Sequence, residues 1–84
     1  MKLVFADEPW EDDLYWQKRD TKIVERINKL IDEVKRDPFA GVGKPEPLKH
    51  ALSGFWSRRI KDEHRMVDKI EGGALLFGQL RHHY

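Results

Sequence analysis

The chain contains no cysteine, which excludes disulfides and thiolate-based zinc or iron–sulfur sites and fits a reducing cytoplasm. It also lacks a long apolar run. The opening residues 1–6 are followed at once by acidic Asp7 and Glu8, so nothing reads as a secretory signal or a membrane span. A soluble cytoplasmic protein is expected. Charge of one sign is missing too: 16 Lys and Arg meet 15 Asp and Glu, a net charge of +1. Nonspecific attraction to duplex DNA is therefore weak, and any anion must be held by a few well-placed cations. No repeat, low-complexity segment or linker interrupts the 84 residues. They read as one domain, 1–84, whose small core buries only about 60–65% of the surface exposed on unfolding.

What is present is unevenly distributed. Residues 1–37 hold eight Lys and Arg against ten Asp and Glu, whereas residues 38–84 hold eight against five, with all four histidines. An anionic partner is met by the second half. The chain closes on Arg81-His82-His83-Tyr84. Termini fray unless they are tied down, so a docked end would deliver His83 and Tyr84 to a site built by the rest of the chain.

Residues 2–6 (KLVFA) read as a short opening strand. Asp7 suits an N-cap, Pro9 the first turn, and Glu8, Glu11 and Asp12 the helix N-terminal dipole. Trp10 and Leu14, with Trp16, are expected to form the buried side of this helix, which runs to about Lys18. Asp20 is the next N-cap, and Ile23, Ile27, Leu30, Ile31 and Val34 recur at helical spacing behind it. Asp37-Pro38 ends that helix. Residues 39–48 (FAGVGKPEPL) are expected to be a loop, stiffened around Glu46 by Pro45 and Pro47. Candidate strands follow at 54–60, 64–70 and 74–81, joined by hairpin-length separators. The order predicts an α+β domain: a short N-terminal strand, then two helices packed on an antiparallel sheet.

If the first hairpin turns on Asp62, residue 60 faces 64 and Arg59 faces Arg65. Directly opposed like charges are unfavourable unless an anion sits between them. Such a pair has the geometry to hold a phosphate. The second half of the chain also offers Glu46 on its stiff loop, Lys49, His83 and Tyr84. Metal-free RNA cleavage needs this kind of set. A base takes the ribose 2′-OH proton, cations stabilise the phosphorane-like transition state, and an acid protonates the departing 5′-oxygen. Glu46 is the natural base, kept ionised by a nearby arginine, and His83 the natural acid. Tyr84 can stack on an unpaired base or orient the leaving oxygen.

Each residue also has a plainer reading. Glu46 alone can be a solvated loop carboxylate, Arg58-Arg59 a solvated strand edge, and Arg65 a partner of Glu63 or Asp62. His50 and His64 read as hydrogen-bonded structural histidines, and Trp10, Trp16, Phe55 and Trp56 as core. A metal site from His64, His82 and His83 with Glu46 lacks any recognised ligand spacing. No cofactor and no metal is therefore expected.

The segments GKPEPLKHALSGFWSRRI (43–60), EHR (63–65) and the closing HY (83–84) closely resemble the YoeB family, ribosome-dependent mRNA interferase toxins of type II toxin–antitoxin modules in the RelE/ParE superfamily. The likeness runs the full length, through Tyr15-Trp16-Gln17, Ile23-Val24 and Asp37-Pro38-Phe39. It implies a microbial-RNase-like domain that enters the ribosomal A site and cuts mRNA, leaving a 5′-hydroxyl. By the family pattern Glu46 corresponds to the general base, His83 to the general acid and Arg65 to the transition-state stabiliser, while Lys49, Arg59 and Tyr84 match RNA-holding positions. The resemblance further implies a YefM-like antitoxin covering the C-terminal catalytic residues, DNA contact only indirectly through that antitoxin, and a homodimer. Met66-Val67-Asp68-Lys69 replaces a more apolar, aromatic-containing strand, and Leu80 and His82 replace the usual small or cysteine residue and tyrosine. On a central strand, Asp68 needs a partner such as Arg58 or a solvent-facing position. The alternatives are a ParE-like gyrase inhibitor that cleaves nothing, and a catalytically inactive RNA- or partner-binding regulator. A pure binder does not need Glu46, Arg65, His83 and Tyr84 together.

Overall fold

The computed structural model describes residues 1–38 and 43–82. Part of the expected loop, 39–42, and the closing His83 and Tyr84 lie outside the described residues. Strand β1 spans Lys2–Phe5, helix α1 Asp7–Arg19 and helix α2 Thr21–Arg36. A two-residue strand β2 (Glu46–Pro47) and a 3₁₀ turn (His50–Leu52) precede strands β3 (Trp56–Lys61), β4 (His64–Glu71) and β5 (Ala74–Gln79). The strands form one sheet in the order β1-β5-β4-β3-β2. Neighbours from β2 to β5 are antiparallel, but β1 runs parallel to β5, so the sheet is mixed. Among the described residues, no helix is long and apolar enough to cross a membrane.

Helix α2 follows its apolar spacing closely. The Asp20 carboxylate accepts from the Lys22 and Ile23 amides at 3.1 and 3.4 Å, satisfying first-turn donors. Ile23, Ile27, Leu30, Ile31 and Val34 are buried against Ile60, Met66, Leu75 and Phe77 of the sheet. Full burial of each such side chain contributes about 1.5–3 kcal/mol. The helix ends at Arg36, one residue before the extended Asp37 that precedes Pro38.

Helix α1 departs from expectation. It begins at Asp7 itself, with Ala6 in the cap position and no side-chain cap. Trp10 and Leu14 remain 47% and 37% exposed, whereas Pro9, Asp12 and Trp16 face inward. The cause is polar. The Trp16 indole donates to the Leu80 carbonyl and Asp12 meets the Leu80 amide, and those bonds set which side of the helix turns to the sheet. Phe55 and Trp56 are only partly buried.

The loop expected over 39–48 contains β2, because Glu46 and Pro47 pair with Ser57 and Trp56. Pro45 and Pro47 hold the backbone extended, and an edge strand tolerates the missing amide of Pro47. Strand β3 starts at Trp56 rather than 54, and β5 ends at Gln79 rather than 81. In the first hairpin, a bulge between Arg59 and Lys61 sets Lys61, not Ile60, opposite His64. The extra residue, Ile60, points into the core. Gly72 and Gly73, both with positive φ, make the two-residue turn between Glu71 and Ala74.

Asp68 is buried on the helix-covered face and does find Arg58. The Arg58 Nε lies 3.0 Å from one carboxylate oxygen and Nη2 3.3 Å from the other, while Nη2 also donates to the Pro38 carbonyl at 2.9 Å. Arg58 is thus no solvated strand edge. Burial pushes the Asp68 carboxyl above its ordinary range, and the Arg58 bond opposes the rise. Breaking one side of such a pair strands a charge in the interior. Asp68→Ala is expected to lower unfolding free energy by about 3–5 kcal/mol, and the paired replacement Arg58→Met with Asp68→Leu to recover most of it. Urea titrations check both; a double variant as weak as the sum of its singles contradicts the pairing.

Candidate active site

Alternation along the strands divides the sheet into a face under the helices and an open face. On the open face Glu46, Ser57, Val67 and Gln79 form one cross-strand row, since Glu46 pairs with Ser57, Ser57 with Val67 and Val67 with Gln79. The next row holds Arg59 opposite Arg65. Arg59 donates its amide to Gly43 O at 2.8 Å and Arg65 donates its amide to His82 O at 3.1 Å. Each main-chain N–H therefore points away from the other residue. The two form a non-hydrogen-bonded pair, the closer kind, with Cα atoms about 4.5 Å apart. Among the described residues, neither guanidinium makes a hydrogen bond or ion pair, and neither does the Glu46 carboxylate. Glu63 interacts instead with His64 at 3.4 Å, so the plainer reading of Arg65 fails.

Backbone geometry holds Glu46 beside this pair. Gly43 has φ 75°, and a Cβ there would sit 2.8 Å from Leu30 Cδ2 and 3.2 Å from Arg58 Cβ. Only glycine allows the chain to run this close to α2 and β3 while its carbonyl receives the Arg59 amide. Leu48 N–H then donates to Phe55 O at 2.9 Å, fixing the segment after β2. Lys49 and His50 are exposed at the 3₁₀ turn; His50 has φ 58° and no side-chain bond among the described residues, unlike the structural role expected for it.

Each described residue after β5, from Leu80 to His82, is tied down. The Trp16 indole donates to Leu80 O at 2.9 Å, and Leu80 N–H meets Asp12 Oδ2 at 3.4 Å. The Arg81 guanidinium lies 3.7 Å from the Tyr15 ring centroid, with Arg19 at 4.1 Å. His82 N–H donates to His64 Nδ1 at 2.9 Å, and its carbonyl accepts from Arg65 N–H and from Gln79 Nε2. The docked end expected from the sequence is present as far as His82, which sits against Arg65 of the paired guanidiniums. His83 and Tyr84 are outside the described residues. His64 is the structural histidine its sequence context suggested.

Sequence reasoning missed Asp12, Tyr15 and Gln79 as anchors of this segment. Tyr15 was visible only as part of a family likeness, and Trp16 as a core residue whose indole partner could not be named. Asp12 looked like a helix-dipole residue, and the polarity of one position says nothing of a partner 68 residues away.

The chain matches the family described as YoeB-like toxin of bacterial type II toxin-antitoxin system over residues 5–84. It is 56% identical to Toxin YoeB of Escherichia coli strain K12 over 84 residues, covering all of both chains. Among solved structures it is similar to a YoeB/ParE toxin from Agrobacterium tumefaciens, with TM-score 0.96, 51% identity and full coverage of both chains. YoeB from Staphylococcus aureus, solved as a dimer and in a heterotetrameric complex with YefM, gives TM-scores of 0.93 and 0.92. Both are at 36% identity, over 100% of this chain and 98% of each of those.

Two predictions follow from the anchoring. Gly43→Ala is expected to cost about 1–3 kcal/mol through strained backbone and contact, read as a fall in the urea midpoint; an unchanged midpoint contradicts the close approach. Burial pushes the Asp12 carboxyl above its ordinary 3.8; Glu8 adds to the rise, while the Leu80 amide, Arg81 and His82 oppose it. A carboxyl harder to ionise folded than unfolded loses stability for the protein as pH rises from that ordinary value through the folded one. Asp12→Asn keeps an oxygen for the Leu80 amide and removes the ionisation. Its melting temperature should therefore gain on the wild type as pH rises above the ordinary 3.8, and a gap moving the other way contradicts the assignment.

The paired arginines, the flanking carboxylate and the anchored C-terminal segment stand on a chain that belongs to the YoeB-like toxin family of bacterial type II toxin–antitoxin systems.

Proposed function

We propose that the protein is an endoribonuclease that cuts mRNA in the ribosomal A site by metal-independent acid–base catalysis and so blocks translation. The observation that carries this reading is the Arg59–Arg65 couple in direct register, without a counter-ion among the described residues and one row from Glu46 on the same open face. Two cations held this close repel each other until an anion sits between them, and a scissile phosphate is such an anion. Glu46 acts as general base on the 2′-OH. Arg65 stabilises the charge gathering on the equatorial oxygens, and Arg59 with Lys49 holds the RNA backbone. His83 is the general acid for the departing 5′-oxygen and Tyr84 positions the RNA; both roles rest on the family likeness and on the anchoring of His82 to Arg65.

So few cations cannot straighten a flexible strand into in-line geometry. Alignment by the ribosome contributes about 7–11 kcal/mol in favourable cases, which accounts for a ribosome-dependent rather than free nuclease. The role is a cytoplasmic one. The partners we propose are mRNA on the ribosome, a YefM-like antitoxin that shields the site, and a second copy of the chain; the Staphylococcus aureus toxin supports the last two.

Primer extension on an in vitro translation reaction tests the reading. Wild type should produce discrete cuts within A-site codons. Glu46→Ala and His83→Gln should each slow cutting by about 10²–10⁴-fold, and Arg65→Ala by about 10²–10³-fold. Intact mRNA with impaired DNA supercoiling by gyrase would instead establish a non-cleaving, ParE-like inhibitor.

A further inference from the structure

A second cluster lies where the β3–β4 turn meets the end of the described chain, and the cleavage chemistry above makes no use of it. Glu63, His64 and His82 each offer one ligand atom, and these atoms lie within 4.8 Å of one another. The Glu63 Oε1 atom is 3.4 Å from His64 Nε2, and the two imidazole centroids are 5.4 Å apart. The cluster is held in place. The His64 ring packs edge-on against Trp16 at 4.7 Å, and its Nδ1 accepts the His82 amide. His82 takes the left-handed backbone conformation, φ 66°, with its carbonyl bound from two sides. That conformation is uncommon outside glycine. Residue 82 is also where the chain departs from the tyrosine usual in the family it resembles.

We propose that Glu63, His64 and His82 form a binding site for a divalent transition metal ion, zinc foremost. Two imidazoles and a carboxylate suit zinc, nickel or copper, whereas magnesium and calcium favour all-oxygen sets. Tetrahedral bonds near 2.0 Å put ligand atoms about 3.3 Å apart, so the set must close slightly. Exposed Glu63 and His82 have the freedom to do so. The binding has a defined proton consequence. Because Nδ1 accepts from the His82 amide, neutral His64 carries its proton on Nε2. A metal on Nε2 requires that proton to move, through water, to Nδ1, which then donates and can no longer accept. The His82 amide bond is thereby lost while the His82 side chain gains the metal. Metal uptake thus reshapes the residue next to His83 and, resting on the proposed cleavage reaction, inhibits it.

Isothermal titration of untagged protein with ZnCl₂ tests the site. The expected result is one zinc per chain, weakened at least tenfold in Glu63→Gln and in His82→Tyr, and unchanged in His83→Gln. Circular dichroism melts confirm that the variants fold. CuCl₂ should quench indole emission through Trp16 in the wild type and much less in His82→Tyr. No uptake at millimolar zinc, wild-type affinity in His82→Tyr, or loss confined to His83→Gln each overturns the site. In the translation reaction, zinc should suppress cutting by wild type and spare His82→Tyr; equal suppression of both overturns the inhibitory role. A protein that binds zinc as expected yet cuts no mRNA refutes the nuclease reading and leaves the site standing.

Discussion

The bond between the Trp16 indole and the Leu80 carbonyl, 2.9 Å long and buried, is the contact on which the rest depends. A buried indole N–H must find an acceptor, and this one finds it on the segment leaving β5. That choice sets the rotation of α1, turning Asp12 inward to meet the Leu80 amide and leaving Trp10 and Leu14 outside. Once Leu80 is held, Arg81 falls on the Tyr15 ring and His82 on His64 and Arg65. Residues 80–82 are thereby fastened to the strand carrying half of the guanidinium pair.

Strand register does the remaining work at the site. A two-fold side-chain alternation means that a one-residue slip would send Arg65 into the core face and Met66 out. The buried Met66 and Ile60, and the Arg58–Asp68 pair, oppose such a slip from the helix side. The bulge at Ile60 lets both demands be met: an apolar residue enters the core while Arg59 stays opposite Arg65. On the open face, repulsion between the two cations is a standing cost of the folded state. Repulsion of that kind in the free protein favours binding an anion between the two guanidiniums.

Much of this was legible in the sequence because it follows from local rules. The α2 stripe, the Asp20 cap and the Pro38 stop depend on neighbours within a turn or two. The Arg59–Arg65 pairing was legible from a short hairpin, although the bulge at Ile60 that reconciles it with Lys61 opposite His64 was not, and Asp68 demanded a partner that proved to be Arg58. The misses depend on distant partners. Trp10 and Leu14 looked like the inner side of α1 because apolar character was visible and the Leu80 bonds were not. Strand β2 was hidden within a proline-rich stretch because pairing with Ser57 and Trp56 is a property of the sheet. The parallel setting of β1 against β5 likewise depends on a crossover through both helices. Glu46, Arg59 and Arg65 were singled out by residue type, and the sheet rows place them on one face.

The central claim is that Leu80, Arg81 and His82 are held fixed against α1 and β4. Amide hydrogen exchange on the free toxin, read residue by residue, measures this directly. The Arg65, Leu80 and His82 amides should be protected to a similar degree as the interior of β4, because their acceptors are His82 O, Asp12 and His64. Exchange of Leu80 and His82 at the rate of an unstructured peptide, with β4 still protected, would contradict the account.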